Sequence, residues 1–215
     1  MILGDQASIL ISEFSPHGSL LDLANKMKVK FGHRMKETLC MHFCAEMLKI
    51  IRVMHQVKVI HADIKPDNFI VMLWENGVTL QLIDFGCSID MAMFPPDTTF
   101  QRPITTEDFT CCEIIDGRPW SYHTDLFCVA ATAHVLLFDK YLRMQKRDGL
   151  WSITERFLRY WQTDFWNTFF STLLNQQSGP ADAGFLIDGL SEVLERKSND
   201  YTKDMRELVL FLKDR

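Results

Sequence analysis

The sequence has no pair of cysteines at metal-ligand spacing, no surplus of positive charge and no apolar run long enough to cross a bilayer. Each absence removes a class of protein. Its six cysteines are Cys40, Cys44, Cys87, Cys111, Cys112 and Cys128. Cys111 and Cys112 are adjacent, and Cys40 and Cys44 share a helical face, so buried thiols in a reducing compartment are expected rather than zinc ligands or disulfides. A net charge of −5 and a pI near 5.8 argue against a generic nucleic-acid footprint and against a polybasic membrane face. The longest apolar run, 126–138, falls short of the ~20 residues that a membrane span requires. It also carries His134, and it reads as a buried helix. No basic stretch followed by an apolar one opens the chain, so no secretory signal is expected.

What is present suits one large domain or two small ones. The chain has 215 residues, 47% of them apolar and 24% charged, an ordinary globular composition able to bury a core. Residues 7–14 form a short strand candidate that runs into a turn or hinge. Apolar residues recur at 39, 43, 47, 50/51 and 54, which predicts a long helix over 37–55 with a wide buried stripe. Residues 69–72 and 79–83 read as two strands of a small hairpin. The stretch 84–113 has no clear period and contains Pro95, Pro96 and Pro103, so it reads as a long functional loop. Helices are expected near 124–138, 161–174, 184–196 and 201–213. In the second of these stretches, Trp161, Phe165, Trp166, Phe169 and Phe170 make an aromatic face most simply placed in the core. The fold class expected is α+β, mostly α, with functional loops at one end.

Between the first long helix and the hairpin runs HADIKPDNFI (61–70), which places two acids, a lysine and an asparagine between apolar flanks. Unpaired buried polar groups cost ~1–3 kcal/mol each, so such a loop implies partners. The pattern is His61-x-Asp63-x-Lys65-x-x-Asn68, and sixteen residues later an apolar strand delivers Asp84-Phe85-Gly86. Either half alone could be turn chemistry around Pro66 or Gly86. Both halves, in order and each preceded by an apolar segment, resemble the catalytic loop and metal-binding triplet of protein kinases. Phosphoryl transfer needs a carboxylate on the acceptor hydroxyl, hard oxygen ligands for magnesium and a cation at the transferring phosphate. The resemblance gives these roles to Asp63, to Asn68 and Asp84, and to Lys65.

The resemblance extends outward from the loop. RPWSYHTDLF contains Asp125, in the place of the kinase aspartate that anchors the catalytic-loop backbone, with His61 as further structural support. Glu113 sits where the family's Ala-Pro-Glu ends the activation segment, and Thr106 matches the threonine that contacts the catalytic aspartate and lysine. LISEFSPHGSLLDL looks like the adenine-binding hinge. Ser12 would be a small gatekeeper, Glu13 and Ser15 would offer backbone bonds, and Ile70 would form the pocket floor. More narrowly, HADIKPDNFI, SIDMAMFPPDTTF and RPWSYHTDLFCVAATAHVLLFDKY resemble the Bub family of spindle-assembly-checkpoint kinases, over residues 8–175. The stretch LLFDKYLRM…DGLW…DFWNTFF is similar to the family's R-type paralogue, although the catalytic loop is kept here. The resemblance implies a Ser/Thr protein kinase using ATP and Mg2+, with histone, kinetochore and checkpoint proteins as substrates or partners. It implies a place in the nucleus and at the kinetochore in mitosis, with no direct nucleic-acid or membrane partner.

Three departures stand out. Ala62 replaces the arginine that in most kinases pairs with a phosphorylated activation loop. Cys111 and Cys112 replace Ala-Pro. No Gly-x-Gly-x-x-Gly occurs among the ten glycines, and only eleven residues precede Ser12. Residues 1–15 are therefore expected to supply the last small-lobe strand and the hinge, and 16–215 the large lobe, with the activation segment at about 84–113. The chain is expected to be a truncated product, a partial gene model or an isolated lobe, inactive on its own. One rival reading is a non-catalytic checkpoint scaffold, which the intact Asp63, Lys65, Asn68 and Asp84 oppose. Another is a small-molecule kinase, in which Lys65, Asp84-Phe85-Gly86 and the Glu113 segment would not be expected. Thr105, Thr106 and Thr110 read as solvated or capping residues, and His55 and His134 as packed helix histidines.

Overall fold

The 20-residue helix α2 (Glu37–Gln56) is the axis on which the rest is stacked. Its Leu39, Phe43, Met47, Leu48 and Ile51 are all buried, the stripe that a 3.6-residue period predicts. In a computed structural model, residues 2–3, 8–9, 12–75, 77–101, 109–176 and 183–214 are described. Against α2 pack α4 (His123–Phe138), α6 (Gly184–Arg196) and α7 (Ser198–Lys213), and α5 (Thr163–Leu174) packs on α4. Helix α4 is buried nearly all round, which is why its sequence is apolar without a polar face. The architecture is mostly α, with four two-stranded sheets among the described residues. No helix among those residues is long and apolar enough to cross a membrane.

The hairpin that leads to the site is β4 (Phe69–Trp74) with β5 (Gly77–Leu82), paired antiparallel with Phe69 opposite Leu82. Two-residue strands β3 (Val59–Ile60) and β6 (Ile89–Asp90) pair across the loop between them. At the N-terminus the expected strand over 7–14 lies partly outside the described residues, and its end at 12–14 is not extended in a sheet. Among the described residues of that stretch, Ser8–Ile9 (β2) is extended in a sheet, and it pairs with Ile2–Leu3 (β1) rather than standing alone. Residues 12–15 leave regular structure because the chain turns toward β4, where the Ser15 hydroxyl donates to the Val71 carbonyl.

Helix α1 (Leu20–Phe31) starts at a capping box: Ser19 accepts from the Asp22 amide, and Asp22 accepts from that of Ser19. It ends at Gly32 with φ 69°, a left-handed stop that suits glycine. Strands β7 (Met144–Arg147) and β8 (Leu150–Ile153) form a second hairpin. Its turn residues, Asp148 and Gly149, have φ 50° and 81°, as a two-residue hairpin loop requires. The outer backbone groups of Trp151 are met by one side chain. Its amide donates to Asn175 Oδ1 (2.7 Å), and its carbonyl accepts from Asn175 Nδ2 (2.9 Å).

Five cysteines are buried, but Cys87 is exposed, because it lies in a 3-10 turn (Phe85–Cys87) that has no buried residue. Trp161, Trp166, Phe169 and Phe170 are in the core, while Phe165 packs half-buried at its edge.

Candidate active site

The loop 61–68 has no repeating backbone hydrogen bonds, so its shape is set by side chains. Asp125, fully buried in the first turn of α4, accepts the His61 amide through Oδ2 (2.8 Å) and the Ala62 amide through Oδ1 (2.9 Å). These two bonds hold Ala62 at φ 63°, a left-handed conformation that costs an alanine roughly 1 kcal/mol or more. A third bond comes from α2, where His55 Nε2 lies 3.0 Å from Asp125 Oδ2. His55, expected only to pack, thus also meets the carboxylate that shapes the loop. Spacing within α2 could not reveal this, since the partner is seventy residues away.

His61 is fully buried and joins the loop to the strand that delivers Asp84. Its Nε2 is 3.0 Å from the Ile83 carbonyl, and its Nδ1 accepts the Asp63 amide at 3.3 Å. The Phe85 ring meets it edge-on at 5.1 Å. Beyond it, Pro66–Asn68 make one 3-10 turn. Asn68 then points its amide nitrogen at the Asp63 carbonyl (2.8 Å) and at Asp63 Oδ2 (3.1 Å). Lys65 Nζ donates to the same Oδ2 at 2.7 Å. Asp63, Lys65 and Asn68 therefore form one hydrogen-bonded cluster. The Asp63 carboxylate raises the Lys65 pKa above its ordinary value, and the charges of Asp67 and Asp84 add to that.

Asp84 is exposed and left-handed, with φ 63°. Its carboxylate accepts the Gly86 amide at 3.3 Å. A Cβ on Gly86 would stand 3.2 Å from Asp84 Oδ1, so glycine allows that close turn. The Ile83 amide donates to the Asn68 carbonyl at 2.9 Å, which ties the two halves of the motif together.

The other expected site residues lie around this cluster. Ile70 sits half-buried on β4, opposite Gln81 and bridged to Ser19. Glu13 is exposed and Ser15 half-buried, on the segment that β4 holds. Glu113 is buried in the short helix α3 (Cys112–Ile115); Arg118 Nη2 lies 3.4 Å from it and His123 Nε2 3.5 Å. Burial holds the His123 pKa below its ordinary value. Thr106, like Thr105, lies outside the described residues.

Where an arginine would project from position 62 in most kinases, Ala62 instead sits in a small apolar cluster. Its neighbours are Ile60, Met91 and Tyr122, flanked by Ile89 and Phe100. The segment after Asp84 is held there by backbone bonds: β6 on β3, Met91 to the Lys58 carbonyl (2.8 Å), and two bonds between Phe100 and Trp120 (2.8 and 2.9 Å).

A buried carboxylate shaping a loop that presents an aspartate, a lysine and an asparagine, next to a strand ending in Asp-Phe-Gly, defines a class. The chain belongs to the protein kinase domain family, whose profile matches residues 1–200. Among the members of that family it is similar to mitotic checkpoint kinases. It is 34% identical over 214 residues to the mitotic checkpoint serine/threonine-protein kinase BUB1 of Mus musculus, covering 95% of this chain and 20% of that protein. To the spindle assembly checkpoint kinase BUB1 of Saccharomyces cerevisiae it is 34% identical over 208 residues, 86% of this chain and 20% of that one. Among solved structures, the crystal structure of the BubR1 kinase domain superposes with a TM-score of 0.86 at 36% identity, over 93% of this chain and 62% of that one. The chain thus spans about a fifth of the length of those two curated relatives.

Proposed function

We propose that this chain carries the phosphoryl-transfer machinery of a Ser/Thr protein kinase of the mitotic spindle checkpoint. In this reading residues 1–15 supply a strand and the hinge, and 16–215 the large lobe. The observation that carries it is the convergence of Asp63, Lys65 and Asn68 on one carboxylate oxygen, with Asp84 delivered by the adjoining strand. Asp63 would orient the acceptor hydroxyl and take its proton, and Lys65 would steady the negative charge that develops on the transferring group.

The residues present fit a magnesium–ATP complex. Asn68 commits its amide nitrogen to Asp63, so its oxygen would be the ligating atom, and Asp84 offers an exposed carboxylate. Magnesium sites of this kind use one or two protein oxygens and complete the shell with waters and substrate phosphates. Bound there, the metal would supply charge neutralisation to the triphosphate. Ile70 would form the floor beneath the base, the backbone of Glu13 and Ser15 would bond its edge, and Thr106 would contact the catalytic pair. Glu113 and Asp125 would hold the loops. Similarity to checkpoint kinases supports kinetochore, histone and checkpoint proteins as the substrate class and the mitotic kinetochore as the place of action. The intact cluster speaks against a purely scaffolding role.

In an active kinase carrying these residues, Asp63→Asn and Asp84→Asn should each lower turnover by ~10²-fold or more, the scale of positioned acid–base and electrostatic terms. Wild-type-like phosphate transfer to a histone substrate in either variant overturns the assignment.

A further inference from the structure

Residues 140–159 contain six lysines and arginines and two acidic residues, in a chain whose net charge is −5. The rest of the molecule therefore carries −9, and the positive charge is concentrated on the β7–β8 hairpin and its flanks. The register sorts these residues onto two faces. Met144 pairs with Ile153, and Lys146 with Trp151, so these four point one way, toward the body of the protein. There Met144 Sδ lies 3.8 Å from Cys112 Sγ, and Asp116 Oδ2 receives Lys146 Nζ (2.6 Å) and Trp151 Nε1 (3.3 Å).

The opposite face carries Arg143, Gln145, Arg147, Leu150 and Ser152, all exposed except Gln145. Exposed Arg156 borders the same cavity as Ser152. Among the described residues, none of Arg143, Arg147 and Arg156 has a carboxylate within ion-pair distance. The nearby Glu155 is turned away, to His134 Nε2 at 3.0 Å. The outer face is thus cationic, flat and uncompensated, on a hairpin whose inner face and β8 edge are both fixed.

We infer that this face docks an extended acidic segment of a protein partner. Arg147 ends β7 and Arg143 immediately precedes it, its carbonyl still bonded to the Thr154 amide; at ~3.3 Å per residue they lie about 13 Å apart, which matches carboxylates four residues apart in an extended peptide. A nucleic acid fits less well: duplex presents a charge about every 1.7 Å of axis, far denser than arginines one strand-length apart can match. The hairpin packs on the Glu113–Asp116 turn, so under the function proposed above the partner is a substrate held beside the acceptor site. That placement rests on the proposed function; the docking itself does not.

The test is fluorescence anisotropy with a labelled, extended Glu-rich dodecapeptide and, separately, a single-stranded oligonucleotide of equal charge. The protein is the 215-residue chain and its Arg143→Glu/Arg147→Glu/Arg156→Glu variant, with the Gln triple variant as a milder control. The peptide should bind the chain, weaken as salt rises, and lose at least tenfold in affinity in both triple variants while the Trp fluorescence of the hairpin is unchanged. Absence of peptide binding, equal binding in the Gln variant, or tighter binding of the oligonucleotide overturns the inference. Because no turnover is measured, its failure would leave the catalytic assignment standing, and the reverse also holds.

Discussion

Two buried carboxylates in this molecule make hydrogen bonds to different ends. Asp125 and Glu37 each stand in the first turn of a helix, α4 and α2, where the helix dipole favours an anion. Asp125 accepts two consecutive amides of one irregular loop and meets His55. Glu37 accepts the Gln162 amide (2.6 Å), Trp166 Nε1 (3.0 Å) and Lys197 Nζ (2.8 Å). Those three donors come from the approach to α5, from α5 itself and from the α6–α7 junction. One carboxylate therefore imposes a backbone shape, including a left-handed alanine, on residues that would not adopt it unaided. The other ties together helices that are already formed. Shape is what the irregular loop needs, and cohesion is what the helical body needs.

If that contrast is right, the two sites should fail differently. The largest effect is expected at Asp125. Asp125→Ala leaves two buried amides without an acceptor at ~1–3 kcal/mol each and frees the loop that presents Asp63. Displacements of about an ångström at reacting groups cost on the order of 10²-fold, so turnover of an active kinase carrying the variant should fall at least that far, even at temperatures where it is folded. Single-turnover kinetics beside a denaturant midpoint separates the two losses.

Glu37→Gln should do the opposite. The Lys197 ammonium loses its charged partner and one donor loses its acceptor, for a loss of ~1–3 kcal/mol of stability with turnover per folded molecule unchanged. A calorimetric melt and a rate measured below it decide the matter. A catalytic loss comparable to that of Asp125→Ala would erase the distinction.

The smallest effect sharpens the cohesive side. His42 on α2 lies between the Val78 carbonyl (2.7 Å) and the Tyr201 hydroxyl (3.0 Å). Burial lowers its pKa, opposed by the Val78 hydrogen bond and the Glu46 charge, with the Lys49 charge lowering it further. A group depressed on folding contributes stability that is present above its unfolded value, 6.5, and lost as pH falls through the folded value. Urea midpoints should therefore fall as pH drops below 6.5, and His42→Gln should remove that part of the slope.

The long helices were legible because each buries a continuous stripe: α2 and α6 begin and end within a residue or two of their apolar periods. Helix α1 was passed over although Ser19, Asp22 and Gly32 mark both its ends, because only Leu20, Leu23 and Met27 are buried. The β7–β8 hairpin was missed despite Asp148-Gly149, since its outer face is polar and no apolar alternation announces it. At the candidate site, motif spacing singled out Asp63, Lys65, Asn68 and Asp84, of which the first three form one hydrogen-bonded cluster. It could not bring out what lies across the fold: His55 on Asp125, or the apolar seat that Ala62 fills. Those depend on which surfaces meet, and a local pattern does not contain that.

Asn175 has a further meaning in a crowded solution. A sheet edge is a template, and any chain that offers a free strand can extend it. By presenting one carboxamide to both outer groups of Trp151, Asn175 acts as a third strand one residue long. The hairpin is thereby given a terminus on that side without spending a segment of chain on it, and one side chain stands between this fold and its neighbours' strands.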